Sequence, residues 1–143
     1  MEKEYTPIIG EGKARWNHVH VEDLAQVFRL LVEKAAAKDK SDELWGEKGY
    51  LIVENGEHVW GDLSRKIAAQ AAEMGFIKDP KEGSLDKDEA IEQAGFEAVS
   101  WGLNSRARAR RARKFLGWQP VEPSIEDEIP RILEQEKQRL SKA

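Results

Sequence analysis

Apolar residues recur at two different periods along this chain, and the changes between them mark its elements. Over residues 16–21, Trp16, His18 and His20 alternate with Asn17, Val19 and Val21, the two-residue period of a strand. From Glu22-Asp23 onward the period changes. Leu24, Val27, Phe28, Leu31 and Ala35 follow three- and four-residue helical spacing, with two acids at the helix start. The run Tyr50-Leu51-Ile52-Val53 is apolar throughout and reads as a strand covered on both faces. Strand, helix and strand at this spacing predict a βαβ unit with parallel pairing and a right-handed crossover.

Further helical stripes follow. The first helix spans residues 23–38. Trp60, Leu63, Ile67, Ala71 and Met74 make a second stripe, with Gly75 placed as its C-terminal cap. Ser84 caps a third helix that runs to Ala94 and is closed by Gly95. Asn104 caps a fourth that runs to Leu116 and is closed by Gly117, with Trp118 folding back on its last turn. Pro120 and Pro123 prevent continuation. Ser124-Ile125-Glu126-Asp127 announces the last helix, whose stripe is Ile125, Ile129, Ile132, Leu133 and Leu140, and Pro130 restarts or kinks it.

The predicted fold class is α/β, a helix-dominated mixed domain of about five helices. Its small sheet includes one parallel βαβ pair near residues 17–21 and 50–53. Residues 1–12 lack periodicity and read as a mobile lead-in, extended over residues 5–9, and residues 13–143 form the domain.

Composition narrows the class. A chain of 143 residues with 40% hydrophobic and 35% charged residues has enough apolar matter for one modest core. No run approaches the ~20 apolar residues that span a bilayer, and the N-terminus does not resemble a signal peptide. The absence of cysteine excludes disulfides and thiolate metal sites and fits a cytoplasmic protein with no membrane partner. The net charge of −4 argues against nucleic acid as the main partner.

Several residues could carry chemistry. His18 and His20 face the same way on a strand, as in some zinc sites, but His58 is the only other histidine, so no metal site is expected. Glu22-Asp23 is better suited to helix capping than to acid–base work, because adjacent carboxylates at a helix start point apart. Residues 106–114 hold six cations in nine positions. As a helix they put Arg106, Arg110, Arg111, Arg113 and Lys114 on one broad face, a surface suited to phosphates or to solvation near the acids that follow. The five tryptophans sit at element boundaries, where core packing is the default.

Four stretches together resemble one family. Residues 16–25 (W-N-H-V-H-V-E-D-L-A), residues 49–57 (G-Y-L-I-V-E-N-G-E), Trp60-Gly61-Asp62-Leu63, and Asn104-Ser105-Arg106 followed by Leu116-Gly117-Trp118 stand in the order and spacing of the extended short-chain dehydrogenase/reductases, the NAD-dependent epimerase/dehydratase group. The family's Gly-rich phosphate turn and its Tyr-x-x-x-Lys pair are not in this sequence. Only Tyr5 and Tyr50 occur, neither with a lysine four residues on. The resemblance therefore implies the C-terminal, substrate-binding lobe of such a protein, inactive as an isolated chain and without catalytic residues. NAD or NADP would be bound by the missing nucleotide-binding domain and not by this chain. It implies a small-molecule substrate met by Trp60, Asn104 and Arg106, the last facing an anionic group. Surfaces that met the missing domain, among them the strand with Trp16, His18 and His20 and the edge near Trp60, should then be open and favour self-association. The alternative is a non-enzymatic interaction module that binds a protein or nucleic acid through the arginine-rich helix 106–114.

Overall fold

The computed structural model describes residues 5–142. Residues 1–4 of the lead-in and Ala143 lie outside the described residues. The fold is α/β and helix-dominated, with five α-helices and two short two-stranded sheets among the described residues, one of them parallel. No helix is long and apolar enough to cross a membrane. The chain divides into two compact units. Unit 1 comprises the chain up to Trp16, residues 58–105 and residues from 125 on; unit 2 comprises residues 17–57 and 106–124.

The parallel pair is in unit 1, and it is not the one expected. Strand β1 (Tyr5–Ile9) lies beside β4 (Lys81–Leu85) in the register Thr6–Glu82 to Ile9–Leu85. Residues 5–9, read from sequence as an extended part of the lead-in, thus form a strand with Thr6 and Ile8 buried. The partner segment, Lys81-Glu82-Gly83-Ser84-Leu85, carries little β propensity and buries only Leu85. Helix α2 (Trp60–Glu73) packs on β1 and on α5 (Ile125–Leu140) through buried Leu63, Ala68, Ala71 and Ile129. Helix α5 accommodates exposed Pro130 without a break. Helix α3 (Lys87–Ala94) packs on a 3-10 segment, Phe96–Gly102, around fully buried Ala90 and Ala98. Its cap is Asp86 rather than Ser84, which lies in β4. The Asp86 carboxylate accepts from the Asp88 and Glu89 amides, and the Glu89 side chain accepts from the Asp86 amide.

One close approach fixes the start of α2. The Gly61 amide donates to the Gly12 carbonyl at 2.9 Å, and a Cβ on Gly61 would stand 2.6 Å from that oxygen. Gly12 itself has φ +67°, a conformation that favours glycine.

In unit 2, helix α1 (Val21–Ala36) packs on α4 (Arg110–Leu116) around Val27, Leu44, Ala109, Ala112, Leu116 and Trp118. Gly117 ends α4 with φ +64°, and Trp118 turns back to donate its amide to the Ala112 carbonyl, as expected. Of the two expected strands, one is shortened and the other is not formed. Strand β2 is limited to Arg15–Asn17 and pairs with β3 (Glu57–Val59). His18 and His20 lie beyond it, and His20 becomes the N-cap of α1, its Nδ1 accepting from the Glu22 amide at 3.2 Å. Residues 50–53 join no ladder. Leu51 and Val53 turn into the core while Tyr50 and Ile52 are exposed, and the Tyr50 carbonyl accepts from Arg111 Nε at 3.0 Å. A side chain has taken the acceptor that a neighbouring strand would have used.

Candidate functional site

Parallel strands end with their carboxyl ends side by side, and in open α/β sheets this is where ligands bind. In unit 1 the carboxyl ends of β1 and β4 open into a cavity of about 510 Å³. Its floor is apolar: Ile9, Ala14, Leu85, Val99 and Leu103. Its polar groups are Glu11, Lys13, Asp86, Lys87 and Asn104.

These groups are unequally available. Lys13 Nζ and Glu11 Oε2 are 2.7 Å apart, and their mutual hydrogen bond holds the glutamic acid below and the lysine above their ordinary pKa values. Asp86 is occupied by its cap. Asn104 Oδ1 accepts from the Arg15 amide at 2.8 Å, which fixes the side chain and leaves its NH2 as a donor. Lys87 forms no ion pair among the described residues. The cavity can therefore hold a small, mainly apolar molecule by an acceptor group. Its lining has no serine, histidine, cysteine or tyrosine among the described residues.

Asn104 does not cap a helix. Its bond to Arg15, together with the 2.9 Å bond from the Ser105 amide to the Arg15 carbonyl, draws this segment alongside β2, and α4 starts only at Arg110. Trp60 lies off the cavity. Its ring stacks edge-on against Trp16 (5.6 Å) and His58 (4.8 Å) and tilts over Trp101 (5.7 Å). Trp16 in turn donates Nε1 to the Leu103 carbonyl at 2.8 Å. Three distant tryptophans thus build one cluster within unit 1, which the sequence pattern did not group.

Arg106 lies in unit 2, where its Nε meets Glu57 Oε2 at 2.5 Å on the wall of a separate cleft. The single cationic helix face does not form. Arg111 lies over the Tyr50 and Phe115 rings and donates to the carbonyls of Glu43, Lys48 and Tyr50. Arg113 binds Glu54. Sequence reasoning missed both as structural groups, and also missed Asp23 and Glu54, the buried acids of unit 2. Asp23 is not the helix cap. It is fully buried, and its carboxylate accepts from the Val121 and Glu122 amides and from Asn55 Nδ2. No group of three metal-ligating side chains occurs among the described residues.

The surfaces expected to be open are partly covered, since Trp16 and Trp60 are both half-buried. The exposed apolar stripe is on α1 instead. Val21, Phe28 and Val32, at helical spacing, are 68%, 62% and 67% exposed.

No protein-family model matches the chain, and no solved structure matches it. Two curated relatives do. Over 138 residues it is 39% identical to "Oxidase ucsJ" of Acremonium sp, covering 92% of this chain and 40% of that protein. Over 121 residues it is 27% identical to an uncharacterized protein of Saccharomyces cerevisiae, covering 85% of this chain and 35% of that protein. The chain thus spans well under half the length of the relatives it matches, and it is homologous over most of its own length to one portion of a protein named an oxidase.

Proposed function

We propose that this chain is the substrate-binding part of an NAD(P)-dependent oxidoreductase of the extended short-chain dehydrogenase/reductase type, inactive as an isolated chain. The 39% identity to part of an oxidase supports its oxidoreductase part; the family and cofactor parts rest on the four stretches at residues 16–25, 49–57, 60–63 and 104–118. The cavity of unit 1, with the anchored amide of Asn104 at its wall, supplies a place for a small substrate. The residues present do not fit a nicotinamide dinucleotide. Gly10 and Gly12 follow a strand, but the chain then enters β2 and not the helix whose N-terminus would face a pyrophosphate. In this reading the cofactor, NAD or NADP, is bound by a nucleotide-binding part outside the sequence given.

A graft tests this. With the chain replacing the matched segment of the Acremonium oxidase, nicotinamide-dependent turnover is expected. Asn104→Asp, which keeps the acceptor for the Arg15 amide but loses the NH2 donor, should raise KM about tenfold with little change in kcat. A folded graft without cofactor-dependent turnover, or micromolar binding of NAD(P) to the isolated chain, would overturn the reading.

The isolated chain should also self-associate through the α1 stripe, because exposed apolar side chains at helical spacing suit helix–helix packing. Light scattering over a concentration series should show mass rising with concentration, and Phe28→Glu should return it to a monomer. A wild-type chain that is monomeric throughout would remove this part of the proposal.

A further inference from the structure

Residues 106–109 form no helix, and this changes which arginines lie together. Exposure alternates along these residues: Arg106 and Arg108 are exposed, Ala107 is half-buried and Ala109 is buried. The anchors are visible: the Ala107 amide donates to Asn17 Oδ1, the Ala109 amide donates to Glu54 Oε1 at 3.1 Å, and Ala109 is fully buried. The chain turns at Ala109, where the Arg110 amide donates to the Arg108 carbonyl at 2.8 Å, and Arg110, the first residue of α4, is exposed again. All three arginines line one cleft of about 460 Å³ within unit 2, together with Ile52, Glu57 and Ala107.

Charge within the cleft does not balance. Glu57 is its one acid and is held by Arg106 at 2.5 Å. Arg108 and Arg110 are exposed and form no side-chain ion pair among the described residues. Arg111 and Arg113, their neighbours in sequence, are committed to carbonyls and to Glu54. Three guanidiniums less one carboxylate leave two positive charges on one wall.

We infer that this cleft is an anion site for a phosphoryl group, held by Arg108 and Arg110 with Arg106 at its edge. Guanidinium presents paired N–H donors that match two oxygens of a phosphate, and a dianion matches the two charges left over. A simple carboxylate would neutralise one charge only. The apolar side of Ile52 and Ala107 leaves room for a small organic group attached to the phosphorus. The inference does not depend on the oxidoreductase reading, since the cleft belongs to unit 2 and the substrate cavity to unit 1.

Calorimetric titration of the full chain with inorganic phosphate, pyrophosphate, a small phosphomonoester and acetate, at fixed ionic strength, tests it. Saturable phosphate binding is expected, tighter for pyrophosphate, with acetate at least about tenfold weaker. Binding of the phosphomonoester more tightly than free phosphate would identify an ester as the source, and the reverse order would identify the free ion; both support the site. The double variant Arg108→Gln/Arg110→Gln should weaken binding by about tenfold or more while leaving the thermal midpoint unchanged, because both side chains are solvent-exposed. No saturable binding, equal affinity for acetate, or undiminished binding by a folded double variant would overturn it. Submicromolar binding of an RNA oligonucleotide at physiological salt, stronger than that of pyrophosphate, would overturn it in favour of a nucleic-acid face.

Discussion

Asp23→Ala should destabilise unit 2 by about 3–5 kcal/mol, among the largest effects of any single substitution in the chain. The carboxylate is fully buried and takes three donors: the Val121 amide at 2.8 Å, and the Glu122 amide and Asn55 Nδ2, each at 3.3 Å. No cation partners it among the described residues. Its position in the first turn of α1 gives it the helix dipole as a further favourable field. Truncation leaves two backbone amides without their acceptor, while Asn55 keeps its 2.8 Å bond to the Glu122 carbonyl. The neighbouring Trp118 bond would survive, since Trp118 Nε1 donates to the backbone carbonyl of Asp23 and not to its carboxylate. Urea denaturation combined with hydrogen exchange at the Val121 amide reads the effect directly. A loss below ~1 kcal/mol with the Val121 amide still protected would show that the donors find other acceptors.

Glu54 should govern acid sensitivity. Burial raises its pKa. The Gly56 amide, the Ala109 amide and Arg113 together outweigh that effect and hold the carboxyl below its ordinary value. A folded-state pKa below the unfolded one means that stabilisation is fully present at neutral pH. It fades as the pH falls below about 4.5 and through the folded value. Thermal midpoints measured from pH 6 downward should therefore drop more steeply for the native chain than for Glu54→Ala. At pH 7 that variant should lose about 2–4 kcal/mol. Arg113 is 42% exposed along its side chain, so solvent screens its half of the pair. Most of the loss comes from the two amides left without an acceptor. Parallel pH profiles for the two proteins would show that another group carries the acid response.

The two acids show what local pattern could and could not reveal. Glu22-Asp23 was legible as a helix start, and α1 does begin there. That Asp23 would reach residues 121 and 122, nearly a hundred positions along the chain, was not legible, because period and propensity carry no information about distant donors. For Glu54 local pattern offers only the Asn55-Gly56 turn dipeptide beside it. Its role depends on Ala109 and Arg113 arriving beside it.

Helices α1, α2 and α5 follow from the sequence by itself, since each is long enough for its apolar stripe to choose the state. The glycine stops at Gly75 and Gly117 follow too, because the need for positive φ is a local property. The mixed, helix-dominated class follows from the same stripes. Tertiary structure decided which strands pair. The parallel partner of β1 is a polar segment with weak β propensity, and the apolar run at residues 50–53 was left without a ladder. A strand's hydrogen bonds are made to another segment, so its existence depends on what arrives beside it. Tertiary structure likewise split the arginine stretch, leaving residues 106–109 outside any helix and starting α4 only at Arg110. Anchors at Arg15, Asn17 and Glu54 took the polar groups of residues 104–109 before a helix could use them.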